Sequence, residues 1–281
     1  MLRQRVVTAL VLVALLLAAL TAHSQWPFAL LMLVLIAAAG WEWARLNQAG
    51  GVLALAMGTA VGLGCLAALF AGWPVQAPPA VWWLASGMWV VGGFVALRAG
   101  PAAWPQLPQV ARWVLGLVAV WAAWLAAAHA RAVGINFLLS VLCLVWMADV
   151  AAYFGGRAFG KRKLAPSISP GKSWEGVWSG MAGVLLLAGL WMWIDIRFAV
   201  DGPSLYSRLW QSLGPAGMVP SLLVLCGLSV AGDLVESLIK RAAGAKDSSQ
   251  LLPGHGGVLD RVDALLPVLP AALALLTLTA P

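Results

Sequence analysis

Residues 216–279 read AGMVPSLLVLCGLSVAGDLVESLIKRAAGAKDSSQLLPGHGGVLDRVDALLPVLPAALALLTLT, two long apolar runs on either side of a charged, glycine-punctuated block. A bilayer core of about 30 Å takes about 20 apolar residues of helix. The runs 216–236 and 258–279 each supply that length, so the block between them is a loop at a membrane surface. It is also where chemistry is to be sought. Counting Asp233 just upstream, it carries the carboxylates Asp233, Asp247, Asp260 and Asp263 beside the cations Lys240, Arg241, Lys246 and Arg261.

The same criterion applied outward gives about nine spans: 6–22, 27–43, 52–72, 80–97, 112–131, 135–154 and 176–195 precede the two already named. The expected fold is an all-α, polytopic membrane helical bundle. Composition agrees, because 62% of the 281 residues are hydrophobic and 10% charged, with a mean hydropathy of +0.91, against roughly 45–50% apolar in a soluble domain. A net charge of +7 raises the possibility of nucleic acid, but the basic residues sit mostly in short loops between spans. With the N-terminus in the cytoplasm, all the Lys and Arg except Arg131, Arg197 and Arg208 fall on or near that side, as the positive-inside rule expects. The first span reads as a retained helix, since no clean small-x-small cleavage site follows it. Many tryptophans fall near span ends, where an interfacial belt would place them.

Cys65, Cys143 and Cys226 lie singly inside spans, which argues against a disulfide framework and a zinc site. The chain reads as one integral domain, 1–281, with two parts. Residues 1–134 hold one carboxylate, Glu42, at a membrane edge, and read as scaffold and lipid-facing spans. Residues 135–281 hold the other nine acids and the two longest cytoplasmic loops, 155–175 and 237–257, and read as the catalytic part.

The first of these loops begins at Asp149, an acid inside a span and so a functional candidate, unless Arg157 or Lys161 neutralises it at the interface. Lys161, Arg162 and Lys163 serve equally as a positive-inside anchor or as phosphate contacts. Gly171, Lys172 and Ser173 look like the tail of a Walker A loop, but Pro166 stands where the leading glycine belongs and no strand precedes it. Ser167, Ser169, Lys172 and Ser173 remain a polar cluster suited to a phosphate-rich ligand, or simply a solvated loop.

In the second loop the spacing is more informative. On a helix, Asp233, Glu236, Ser237 and Lys240 share one face, and Asp260 and Asp263 share another at the start of the next span. Two helix ends thus present carboxylates towards one point. Hard oxygen ligands without clustered His or Cys favour magnesium, although internal ion pairs, Asp233 with Lys240 and Asp260 with Arg261 or Arg241, use the same residues. Gly254, Gly256 and Gly257 allow close backbone approach to phosphates. His255 reads either as a proton donor or phosphate contact, or as a turn residue satisfied by its own backbone.

The segment Ser237–Asp263, S-x-x-K-R, four residues, K-D, then P-x-H-G-G-x-x-D-R-x-D, resembles the signature of the phosphatidate cytidylyltransferases, the membrane CDP-diacylglycerol synthases. Asp149–Glu175 is similar to that family's second recognisable stretch, with Ser173 where threonine is more usual. The resemblance implies transfer of a cytidylyl group from CTP to phosphatidic acid, with Mg2+ neutralising the phosphates and a second cation beside it left open. It implies metal binding by Asp233 and Asp260 first, with Asp263 and Asp149 next. Lys240, Arg241, Lys246 and Arg261 would then stabilise phosphate charge beside Asp247, and Asp149, Lys161, Ser169, Lys172, Ser173, Ser237, His255, Gly256 and Gly257 would contact substrate. A homodimer in a bacterial inner membrane is implied in the same way. Two other classes carry acids in membrane spans. A CDP-alcohol phosphatidyltransferase needs D-G-x-x-A-R and then D-x-x-x-D, whereas Asp260 and Asp263 are D-x-x-D; an ion-coupled transporter could use Asp149 and Asp233.

Overall fold

The computed structural model describes residues 2–198 and 201–279, with the side chains of 2–6 and 9 excepted, so the side chains of Arg3 and Arg5 lie outside the described residues. The chain is helical nearly throughout: α1 Leu2–Thr21, α2 Trp26–Leu46, α3 Gly51–Phe70, the single turn α4 Trp73–Gln76, α5 Pro79–Ala99, α6 Gln109–Val133, α7 Ile135–Phe159, α8 Trp174–Arg197, α9 Leu205–Ala242, the single turn α10 Leu259–Val262 and α11 Leu265–Thr277. Among the described residues, seven of these (α2, α3, α5, α6, α7, α8 and α9) are long and apolar enough to cross a membrane. They coincide with the second to eighth expected spans, and α1 occupies the position of the first.

The ninth expected span, 258–279, is corrected. It is broken at Asp263–Ala264 into α10 and the 13-residue α11, about 20 Å long at 1.5 Å per residue. Asp263 Oδ1 accepts the amide of Ala264 at 2.8 Å, so one backbone donor at the break is satisfied by the chain itself. Leu266–Ala274 of α11 are all buried, between α5, α6, α7 and α9. A helix apolar all round belongs in such a position. Outer helix faces turn away from this core, with Phe94 of α5 and Leu186 and Ile196 of α8 widely exposed as a surface for lipid.

Helix α9 also departs from its expected bounds of 216–236. Gly214 (φ 61°, ψ −173°) ends one helical segment and Pro215 starts the next. The kink divides 38 residues that would otherwise overshoot the bilayer.

Helices α7 and α8 pack closest, because small residues let their backbones meet. A Cβ on Gly180 would lie 2.8 Å from the carbonyl oxygen of Ala148, and one on Gly176 would lie 2.9 Å from that of Ala152. This contact aims the loop between the two helices. The loop is not wholly irregular: β1 Lys163–Ala165 pairs antiparallel with β2 Ser169–Ser173, Lys163 opposite Ser173, a small hairpin in an otherwise helical chain. Its turn residue Ile168 is buried, and the Ile168 carbonyl accepts from Arg241 Nε of α9 at 3.3 Å.

Tryptophan does more than form a belt. Trp43 Nε1 donates to the Arg112 carbonyl at 2.8 Å, Trp104 Nε1 to Asn47 Oδ1 at 2.8 Å, and Trp113 Nε1 to the Asn47 carbonyl at 3.0 Å. These indoles lock the C-terminal end of α2 against α6. At the opposite end of the bundle, Asp195 of α8 accepts from Asn136 Nδ2 at 2.9 Å and from Ser207 Oγ at 2.6 Å, tying α7, α8 and α9 together.

Candidate active site

Three segments converge at one end of the bundle: the α7–α8 hairpin, the C-terminal half of α9, and the 243–263 loop with α10. Their polar residues divide into two groups, joined through α9.

The first group lines a cavity of about 540 Å3. Asp149 and Tyr153 reach it from α7, Ser169 and Lys172 from β2, and Asp233 from α9. Lys172 Nζ lies 2.6 Å from Asp233 Oδ2, and Ser237 Oγ donates to Asp233 Oδ1 at 3.3 Å. Asp149 is exposed to the cavity and within electrostatic reach of Lys172 and Asp233. The pairing of Asp149 with Arg157 or Lys161 does not form among the described residues; Arg157 instead donates to Tyr153 Oη at 3.3 Å. Asp263 enters the same electrostatic neighbourhood from the α10–α11 break, because Gly232 lets that break approach α9. A Cβ on Gly232 would stand 2.5 Å from the Asp263 carbonyl oxygen. Burial, and then the negative charge of Asp233, push the Asp263 carboxyl above its ordinary range. Ala152, Val177 and Val230 line it as well, the first and last one helical turn from Asp149 and Asp233. The cavity therefore has a mixed lining of charged and apolar side chains.

The second group centres on Asp260. Lys240 Nζ donates to Asp260 Oδ1 at 2.6 Å and lies 2.5 Å from Glu236 Oε2. Asp260 Oδ2 accepts the amides of Ser248 and Gly257 at 2.9 and 2.8 Å, and Ser248 Oγ at 2.9 Å. Burial opposes the ionised form of Asp260, but the donors around it, Lys240 and the Gly257 and Ser248 amides, outweigh it and hold the carboxyl well below the ordinary range. Lys240 thus bridges Glu236 and Asp260; neither of the pairs open from spacing, Asp233 with Lys240 or Asp260 with an arginine, is formed among the described residues.

Other sequence candidates are distributed around these groups. Gly256 (φ 83°) and Gly257 do permit a close approach, but the space beside them is taken by the chain's own carboxylates: a Cβ would meet Asp260 Oδ2 at 2.9 Å on Gly256 and Glu42 Oε1 at 2.5 Å on Gly257. Ser173 is buried as the N-cap of α8, accepting the Gly176 amide at 3.2 Å. Arg261 turns back to the His255 carbonyl, with Nε at 3.0 Å, and His255 Nδ1 sits 3.4 Å from the Pro253 carbonyl. The side chain of Lys161 is exposed while its amide donates to Glu175 at 3.1 Å. Lys246 and Asp247 line a separate cavity of about 660 Å3 together with Arg45 and Gln250. Glu42, which the sequence reading assigns to the scaffold at a membrane edge, is fully buried under the second group; an acid at the end of an apolar span was the only signal of such a role.

Helices of membrane-crossing length around a cavity that pairs acids with a lysine at one end define a polytopic membrane enzyme handling charged groups at a bilayer surface. The chain belongs to the cytidylyltransferase family, whose model matches residues 3–279. It is similar to the phosphatidate cytidylyltransferase of Pseudomonas aeruginosa, 40% identical over 283 residues that cover 98% of this chain and 97% of that one. The corresponding protein of Haemophilus influenzae is 50% identical over 137 residues, 49% of this chain and 44% of that one. That of Staphylococcus epidermidis is 39% identical over 150 residues, 53% of this chain and 52% of that one.

Proposed function

We propose that this chain transfers a cytidylyl group from CTP to phosphatidic acid, forming CDP-diacylglycerol and releasing pyrophosphate. The observation that carries this reading is the mixed lining of the cavity, with Asp149, Lys172 and Asp233 beside Val177 and Val230. A phospholipid headgroup with its acyl chains has this amphiphilic character.

The reaction needs no protein nucleophile. An oxygen of the phosphatidate phosphate bonds to the α-phosphorus of CTP as the bond from that phosphorus to the bridging oxygen breaks, and pyrophosphate leaves with the electron pair. Lys172 is placed to draw phosphate charge to the cavity, and the Ser169 hydroxyl offers a hydrogen bond. Fixed donors aimed at developing charge are worth about 10²–10³ in rate each.

Asp149 and Asp233 line the cavity and Asp263 lies within electrostatic reach of Asp233 and Lys172; their hard oxygens are of the kind magnesium takes. Among the described residues no three acidic, His or Cys side chains form a ready metal cage, so magnesium here would have to keep waters and share substrate oxygens. Asp233 and Asp263 would hold it, with Asp149 available to a second cation. The oxygens of Asp260 are engaged by Lys240, Ser248 and Gly257 and those of Asp233 by Lys172 and Ser237, so a cation at either would displace such partners. Bound there, magnesium would neutralise triphosphate charge.

Purified protein given phosphatidic acid, labelled CTP and magnesium should form labelled CDP-diacylglycerol and equimolar pyrophosphate. No product, together with gradient-dependent ion uptake in vesicles, would favour the transporter reading. The reading extends to a homodimer in a bacterial inner membrane with the site facing the cytoplasm. Cross-linking in membranes tests the first part and cysteine accessibility of the α7–α8 loop in intact cells tests the second.

A further inference from the structure

Glu42 lies in the last turns of α2 and is 0% exposed. A buried carboxylate is costly unless its oxygens are hydrogen-bonded, and those of Glu42 are bonded entirely by the 243–263 loop, more than two hundred residues away in sequence. Oε1 accepts from Ser249 Oγ at 2.5 Å and from the Val258 amide at 2.9 Å. Oε2 accepts from Ser248 Oγ at 3.1 Å and from the Leu259 amide at 2.6 Å. Among the described residues no cation lies within 4 Å of it, so Glu42 is held by hydroxyls and amides alone.

Two of these donors border Asp260 directly. Leu259 is its immediate neighbour, and Ser248 Oγ lies between the two carboxylates, 3.1 Å from Glu42 and 2.9 Å from Asp260, so its single proton serves one of them at a time. Gly257 closes the arrangement. Its amide donates to Asp260, and a Cβ there would stand 2.0 Å from Ser248 Oγ and 2.5 Å from Glu42 Oε1. Asp260 in turn fixes Lys240 on α9, two helical turns from Asp233, and Asp263 follows three residues later.

We propose that Glu42 is a positioning residue for the cytidylyl-transfer site: by clasping both ends of the 248–259 loop, it sets the orientation of Asp260 and hence of Lys240 and Asp263. The proposal rests on the function argued above. It also gives residues 1–134 a part in the reaction. A carboxylate suits this task because each of its oxygens takes two donors. An amide of the same size has one accepting oxygen, and its NH2 would face an N–H or a hydroxyl instead.

The test is the steady-state kinetics of Glu42→Gln in detergent micelles, normalised to folded protein by size-exclusion profile and thermal midpoint, with phosphatidic acid and CTP varied separately. The expected result is a fall in kcat of at least tenfold, an unchanged KM for phosphatidic acid, and a thermal midpoint within a few degrees of the parent. Gly257→Ala pushes the same clasp apart from the other side, so its combination with Glu42→Gln should lose little more than the worse single variant. Glu42→Asp, which keeps the charge, should recover part of the loss. Asn47→Ala, one turn further along α2 and bonded to Trp104 rather than to the loop, should lower the thermal midpoint with kcat per folded molecule unchanged. If Glu42→Gln does not survive extraction, Ser248→Ala carries the same expectation for kcat. A kcat within twofold of the parent in the folded variant, or a loss that tracks only the folded fraction, would overturn the proposal. Failure of the parent protein to make CDP-diacylglycerol is a different result, and would remove the function and the positioning role together.

Discussion

Lys172 Nζ of the α7–α8 hairpin lies 2.6 Å from Asp233 Oδ2 of α9, with each side chain a little over a quarter exposed. This ion pair joins the α7–α8 hairpin to α9 and puts a cation and a carboxylate in the lining of one cavity. In so open a setting the pair itself adds little stability. Lys172→Met should therefore leave the thermal midpoint nearly unchanged while reducing CDP-diacylglycerol formation by on the order of 10²-fold, the effect of removing one fixed charge-stabilising donor. Normal turnover by Lys172→Met would remove this residue from the site.

Lys240 should behave in the opposite way. It bridges Glu236 and Asp260 with 14% of its side chain exposed and those of its partners 3% and 7%. Removing one member of a buried ionic set leaves uncompensated charge, at a cost of about 3–5 kcal/mol. Lys240→Met is expected to aggregate on extraction, and Lys240→Met combined with Glu236→Gln to be more stable than Lys240→Met alone. Thermal unfolding followed by intrinsic tryptophan fluorescence would show the order; equal stability of the two variants would mean that the three side chains are not coupled.

Asp263 gives a pH dependence of defined sign. Its carboxyl is raised in the folded protein by burial and by Asp233. As pH rises above the ordinary carboxylate value, about 4, the unfolded chain releases this proton while the folded one retains it, so stability falls until the folded-state value is passed. Asp260, held low, contributes stability that is present above about 4 and lost only as pH falls below it. With a chelator present, Asp263→Asn should raise the thermal midpoint at pH 7–8 and flatten its decline between pH 5 and 8, while abolishing activity when magnesium is restored. An unchanged pH profile would mean that Asp263 ionises as it would in water.

The α7–α8 contact can be tested without touching the cavity. A side chain on Gly180 would press on the Ala148 carbonyl from 2.8 Å, and overpacking of this kind costs about 1–3 kcal/mol. Gly180→Val should lower the thermal midpoint and, by moving α8 away from α7, reduce activity along with it. Gly189→Ala on the same helix, where a Cβ meets nothing within 4 Å, should do neither.

What the sequence by itself determined was the membrane class, the positions of most helices and the end of the bundle that bears the charge. Each of these is a local property: runs of about 20 apolar residues need no tertiary partner to be recognised, and Asp233 to Asp263 are charged wherever the chain takes them. Glycine and proline marked the breaks, yet not the split at Asp263–Ala264, because an apolar run containing Pro267 and Pro270 looks continuous in composition. The tertiary structure alone decided how the carboxylates sort: Asp149 and Asp233 about the Lys172 cavity, Asp263 within electrostatic reach of it, Asp260 to Lys240 and the loop amides. It also brought Glu42 beneath that loop. The donors to Glu42 are two serine hydroxyls and two backbone amides more than two hundred residues away, groups present in any chain, so only packing of α2 against the loop and the burial of a carboxylate there make them a site.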